Sequence, residues 1–84
     1  MNLNSSSYRL SFEWDSDNEV LEIHADDAGL RKLKTAIETL LKKPNNDHAH
    51  FMTKDWGGDE LSNDKLCAEN TLINHVKLFK WENE

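Results

Sequence analysis

The segment 26–43 is the stretch that most constrains the fold, because it alone carries a sustained helical period. Asp26 or Asp27 can cap its first turn, since a short carboxylate accepts hydrogen bonds from the free N–H groups there. Pro44 cannot continue a helix. The segment therefore predicts one helix that ends before Pro44, with an apolar face formed by Leu30, Leu33, Ile37, Leu40 and Leu41.

Alternation of apolar and polar residues predicts strands on both sides of this helix. Segments 8–14 and 19–25 alternate around a polar turn, which predicts a β-hairpin. Segments 47–53 and 71–81 are predicted to be strands, and 54–70 a loop. The order β-β-α-β-β predicts an α+β fold, with a single helix packed on one face of a mostly antiparallel four-stranded sheet. We expect the second face to be open and to carry His24, His48, His50, His75, Phe79 and Trp81.

Length and charge restrict the class of protein. A chain of 84 residues predicts a single domain, 1–84, in which 1–7 is a flexible lead-in. The net charge of −6 argues against nucleic acid and anionic membranes as partners, because phosphate binding needs a Lys/Arg surface. The single cysteine, Cys67, is typical of a reducing cytosol, so we expect a cytoplasmic protein. The sequence contains no membrane-spanning apolar run and no signal-peptide pattern.

The negative charge is unevenly distributed along the chain. Residues 13–27 contain seven acids and no Lys or Arg, and residues 44–70 contain six acids and two lysines. The helical segment 28–43 has the opposite balance, with five basic residues and one acid. We therefore expect two acidic surfaces, one on the hairpin and one on the long loop.

The loop surface combines acids with Trp56 and two glycines. An exposed tryptophan flanked by carboxylates is typical of an anchor for a basic protein partner, because aromatic residues dominate interface energies and charges steer encounter. The other interpretation is that Trp56 lies under its loop and caps the sheet. The candidate contact residues are Asp55, Trp56, Asp59 and Glu60, with a second set of Glu13, Asp15, Asp17 and Glu19.

Metal binding and catalysis find weaker support. A strand places His48 and His50 on one face, and His24 and His75 can join them, which is compatible with zinc but also with exposed histidines that contact a partner. No G-x-S-x-G, P-loop or H-E-x-x-H motif occurs, and Cys67 is interpreted as a small buried hydrophobe. We expect no enzymatic activity, no cofactor and no metal, with a histidine-based metal-binding domain as an alternative.

Short motifs between about residues 19 and 80 give the chain a family likeness. The run from Leu21 to Leu30, continued by Leu33 and Leu40, precedes His48-Ala49-His50-Phe51 and Gly58-Asp59-Glu60-Leu61. This pattern resembles the immunity protein 32 family of bacterial polymorphic toxin and contact-dependent inhibition systems. The resemblance implies a small cytosolic protein that binds and neutralises a cognate toxin domain and does no chemistry of its own.

An acidic inhibitor suits a basic toxin such as a nuclease, whose phosphate-binding surface the carboxylates would occupy. The alternative is a small regulatory or interaction module without a toxin partner, which forms a homodimer through its last strand.

Overall fold

A computed structural model describes residues 8–83, so the predicted lead-in 1–7 lies outside the described residues. The α+β class and the strand–helix order are confirmed. No helix within residues 8–83 is long and apolar enough to cross a membrane. The elements are β1 (Leu10–Asp15), β2 (Val20–Ala25), α1 (Asp27–Leu41), β3 (Asp47–Met52), a turn of 3-10 helix (Lys54–Trp56), β4 (Thr71–Ile73) and β5 (His75–Lys80).

The strands form two antiparallel sheets instead of the single four-stranded sheet that we expected. In the first, β1 lies between β2 and β4; in the second, β3 pairs with β5. The predicted last strand is divided at Asn74, which lies beyond the last pair of the β1–β4 ladder and bonds to Thr53, next to the Met52–His75 pair. The Thr53 N–H donates to the Asn74 carbonyl at 3.1 Å, and the Thr53 hydroxyl donates to the Asn74 side chain at 2.7 Å.

Asn74 also reverses the alternation of faces along this stretch. Ile73, Val76 and Leu78 all pack against the core, whereas an uninterrupted strand would place Ile73 and Val76 on opposite faces. The residue therefore acts as a one-residue bulge. Leu72 pairs with Glu13, on the face opposite Phe12. Simple alternation along 71–81 would place Leu72 on the same face as Val76 and Leu78, and the bulge at Asn74 prevents this.

The core lies where the two sheets and α1 meet. Leu10 and Phe12 of β1, Phe51 of β3 and Leu61 of the long loop are its buried members. The rings of Phe12 and Phe51 have centroids 6.4 Å apart, so the two sheets are joined by direct aromatic packing.

Helix α1 packs through a stripe that overlaps in part with the predicted apolar face. Gly29 and Leu40 are buried, and Leu33 is half-buried against the core. A Cβ on Gly29 would lie 1.8 Å from the carbonyl oxygen of Arg9, so only glycine allows this close approach of helix and strand. Because the helix leans on this stripe, three residues of the predicted apolar face stay exposed: Leu30, Ile37 and Leu41.

The long loop covers the outer face of the first sheet, which we expected to be open. Ser62 pairs with Leu10, donating its N–H to the Leu10 carbonyl at 2.8 Å and accepting the Leu10 N–H on its hydroxyl at 3.1 Å. Further along, the N–H groups of Leu66 and Cys67 donate to the side chain of Glu13. Within residues 8–83, only the outer face of the β3–β5 sheet remains open.

Candidate protein-binding surface

The open face of the β3–β5 sheet carries six adjacent rings, which we call the aromatic row. Neighbouring ring centroids lie 4.7–6.4 Å apart along its whole length. Trp56 and Trp81, at its two ends, are 58% and 69% exposed. In spatial order the row consists of Trp56, His75, His50, His48, Phe79 and Trp81.

The register of β3 and β5 explains why the row forms. His48 lies directly opposite Phe79, and Met52 lies opposite His75. Alternation within each strand puts His48 and His50 on one face, as predicted, and the bulge at Asn74 turns His75 and Phe79 toward them.

The three histidines of the row are joined by hydrogen bonds between ring nitrogens. His48 Nε2 and His50 Nε2 are 3.0 Å apart, and His50 Nδ1 and His75 Nε2 are 2.8 Å apart. Partial desolvation, followed by the charges of His48, His75 and Lys77, lowers the pKa of His50 below 6.5. The ring of His50, at the centre of the row, therefore favours its uncharged form.

The turn that carries Trp56 brings the predicted loop residues to one end of the row. Asp55 and Asp59 are exposed. Glu60 is half-buried, and its carboxylate accepts the Met52 N–H at 3.0 Å, which fixes the loop to β3. Gly57 ends the turn with a φ of 92°, a conformation that favours glycine. Trp56 does not lie under its loop, so the interpretation that it caps the sheet is wrong.

The second predicted acidic set lies elsewhere. Asp15, Asp17 and Glu19 belong to the hairpin turn that follows β1. The Trp56 loop lies at the other end of β1, because it contacts Tyr8, which precedes this strand. Because β1 has six residues, the strand alone separates the two acidic sets by roughly 17 Å. The Asp15 carboxylate is occupied within the turn, where bonds from Asn18 lower its pKa.

Glu13 is not on the surface with these residues, and its predicted placement there is corrected. Its side chain is 0% exposed. One carboxylate oxygen accepts from the Ser11 hydroxyl at 2.9 Å and from Leu66 N–H at 2.8 Å. The other accepts from Cys67 N–H at 3.2 Å and from the Asn70 amide at 3.1 Å. Burial opposes the charge, but these four bonds outweigh it and lower the pKa of Glu13 to about 2.

His24 does not join the other histidines, contrary to our expectation. It lies on β2, where its Nε2 is 2.8 Å from a carboxylate oxygen of Glu22 and 3.8 Å from one of Glu13. Donor atoms of these three residues lie within 4.8 Å of one another, the spacing of a metal site. However, the Asn70 amide donates to both carboxylates, at 3.1 and 3.0 Å. The cluster is therefore organised as a hydrogen-bond network.

Sequence reasoning placed five members of the aromatic row on one open face, but it did not connect Trp56 to them. The H-x-H pattern located His48 and His50, and the turn chemistry located Trp56. The connection through His75 depends on the bulge at Asn74, which gives no local signal because asparagine is common at many irregular positions.

Comparison with known proteins gives one positive result. A family model described as Immunity protein 32 matches residues 20–76, which is more than half of the chain and runs from β2 into β5. This match includes Trp56 and the three histidines of the row. It confirms the resemblance noted in the sequence. No curated protein and no solved structure matches the chain.

Proposed function

The chain belongs to the immunity protein 32 family, and on this basis we propose that it binds and neutralises a cognate bacterial toxin domain in the cytoplasm. Its action is binding and not catalysis. The aromatic row, a continuous set of rings on an open sheet face, is the observation that supports a location for the toxin contact. We propose this row as the centre of the toxin contact.

The row has the composition of an interface centre. Tryptophan contributes large contact area with few rotatable bonds, and tryptophans are frequent among the residues that dominate binding energy. Large exposed aromatic patches are uncommon on proteins that act alone. The backbone pairing of β3 with β5 holds the rings in place before binding, so little ordering entropy opposes association.

The acids at the Trp56 end supply the charge that we expect to complement a basic toxin. Asp55 and Asp59 are exposed beside the row, and the chain as a whole carries −6. A toxin that binds nucleic acid needs a basic surface, so we propose a nuclease as the partner class. The hairpin turn with Asp17 and Glu19 is the second proposed contact.

The first experiment identifies the toxin. The tagged chain is used to capture proteins from its native host at low salt, and the co-purifying proteins are identified by mass spectrometry. A stoichiometric partner that is the C-terminal domain of a large secreted protein, and whose activity is inhibited by the purified chain, is the expected result. Capture of no such partner would contradict the proposal.

The second experiment locates the contact on the purified pair. We expect Trp56→Ala and Trp81→Ala each to weaken binding at least about tenfold, as for residues at an interface centre. Trp14→Ala is the matched control, because Trp14 is partly exposed on β1 and lies outside the row. Equal loss of affinity in all three variants would argue against the row.

Charge reversal tests the electrostatic part separately. Reversal of Asp55 and Asp59 to lysine should weaken binding about tenfold or more at low salt, and the effect should shrink as salt is added. Reversal of Asp17 and Glu19 measures the contribution of the hairpin turn. Glu38→Lys on α1 is the control for the single reversals Asp55→Lys and Asp59→Lys, because it makes the same change in net charge. Affinity that does not respond to salt would contradict recognition by charge.

A further inference from the structure

Strand β2 has one paired edge and one unpaired edge. It is the outermost strand of the first sheet, and within residues 8–83 no strand pairs with its outer side. Its sequence, VLEIHA, contains none of the lysines, prolines or glycines that usually protect such edges. Three of its apolar side chains, Val20, Leu21 and Ile23, are 44–53% exposed. An edge of this kind is expected to pair with another strand.

The other strand edges of the described chain are better protected. β5 carries Lys77 and Lys80, and β4 has only three residues. The end of β3 is occupied, because the Met52 carbonyl accepts the N–H of Leu61 at 3.1 Å. β2 is therefore the strand most available for pairing.

The pairing with β1 determines which backbone groups of β2 point outward. Asp26 donates its N–H to the Arg9 carbonyl at 3.2 Å, and this pair comes next in the register after Leu10 and Ala25. Bonded and non-bonded pairs alternate along an antiparallel ladder. The backbone groups of His24 and Glu22 thus point toward β1, and those of Leu21, Ile23 and Ala25 point toward the free edge.

We propose that β2 pairs antiparallel with β2 of a second copy of this chain, about a twofold axis that passes beside Ile23. In this register Ile23 lies opposite Ile23 of the second copy, and Leu21 lies opposite Ala25. All three are residues whose backbone groups point outward, so their N–H and carbonyl groups bond across the axis. The first sheets of the two copies then form one six-stranded sheet.

Charge selects this register over its neighbours. It places Glu22 of each copy opposite His24 of the other, in the closer, non-hydrogen-bonded type of pair. A shift by two residues in one direction would place Glu22 opposite Glu22, with two carboxylates in contact. A shift in the other direction would place Glu22 opposite Asp26. Like charges directly opposite each other destabilise a pair of strands.

The faces of the strand are also complementary to themselves. Leu21, Ile23 and Ala25 share the face on which Phe12 lies, since they pair with Trp14, Phe12 and Leu10, which alternate onto one face of β1. Antiparallel pairing keeps both copies in the same orientation, so these residues form one apolar strip. Glu22 and His24 share the opposite face. The area joined by two six-residue strands is small, so we expect a dimer that dissociates on dilution.

The first test is the mass of the full chain in solution. At about 0.5 mM, sedimentation equilibrium should give twice the 9.7 kDa of the chain, and dilution should return the monomer. Ile23→Lys places two lysines opposite each other and should abolish the dimer. Leu41→Lys makes the same change at an exposed helical site and should leave it intact. A monomer at every concentration, or equal dimerisation of both variants, would overturn the proposal.

The second test measures the register. In a Cys67→Ser background, Ile23→Cys places two thiols on directly opposed residues, with Cα atoms about 5.5 Å apart, which a disulfide spans. Glu22→Cys places its two copies diagonally, about 7–8 Å apart, which is too far. We expect about tenfold more cross-linked dimer for Ile23→Cys under mild oxidation. Equal yields, or a larger yield for Glu22→Cys, would overturn this register.

The dimer edge lies on β2, and the aromatic row lies on β3 and β5. Ile23→Lys should therefore bind a captured toxin as tightly as the unmodified chain. This separates failure of the dimer from failure of the proposed toxin contact.

Discussion

Replacement of Glu13 by glutamine tests whether one buried carboxylate holds the long loop to the first sheet. Each carboxylate oxygen accepts two hydrogen bonds. In the glutamine variant an NH₂ group replaces one oxygen. The two groups that donated hydrogen bonds to this oxygen then face an N–H donor and lose their acceptor. A buried donor left without a partner costs about 1–3 kcal/mol. Allowing for some relaxation, we expect the free energy of unfolding to fall by about 3 kcal/mol, a large share of the 5–15 kcal/mol typical of a domain.

The pH dependence of this effect has a definite sign. The pKa of Glu13 is lowered from 4.5 to about 2, so the unfolded chain binds the proton more readily than the folded chain. The stabilisation is fully present above pH 4.5 and is lost as the pH falls toward about 2. The difference between the two proteins should therefore shrink over this interval.

Urea unfolding, followed by tryptophan fluorescence at several pH values, measures both quantities. Glu38→Gln on the exposed side of α1 is the control and should change the free energy of unfolding by less than about 0.5 kcal/mol. A Glu13→Gln variant as stable as the unmodified chain near neutral pH would refute the reasoning. A deficit that stays constant down to acid pH would also refute it, because the charge would then contribute nothing.

Three other changes test the helix and the row. Gly29→Ala should lower the free energy of unfolding by more than about 2 kcal/mol, because its Cβ would lie 1.8 Å from the Arg9 carbonyl oxygen; an unchanged urea midpoint would contradict that contact. Asp26→Ala should cost about 1 kcal/mol in the same assay, because the Asp26 side chain accepts the Gly29 N–H at 2.8 Å, whereas Asp27→Ala should cost less. An NMR titration of His50 should give a pKa below 6.5; the stabilisation linked to neutral His50 is present above pH 6.5 and is lost as the pH falls through the lowered pKa. A pKa of His50 that is not lowered would contradict the hydrogen-bonded row.

Local patterns were sufficient for the hairpin and the helix. The turn at 15–18 and the alternation on each side of it identify β1 and β2 within two residues of their observed bounds. The cap at Asp26 and the stop at Pro44 bound α1, because both act within a single turn of helix. These signals depend only on neighbours in sequence.

The parts that were missed depend on contacts distant in sequence. Glu13 stands between Phe12 and Trp14 like any solvent-facing strand residue, and three of its four donors lie more than 50 residues away. The loop that supplies them has no periodicity that would predict its path. The buried face of the helix was predicted incompletely, because the close contact at Gly29 determines how α1 is oriented on the sheet. The width of the apolar stripe does not determine this orientation.

The bulge at Asn74 determines which side chains the last stretch of chain displays. If Asn74 stayed in the chain but adopted regular strand geometry, simple alternation beyond Ile73 would turn β5 over. Val76 and Leu78 would then face outward, and His75 and Phe79 would face the core. The outward identity of the β3–β5 surface thus depends on the irregular backbone at one residue, because regular strand geometry at Asn74 would exchange surface and interior without altering any side chain.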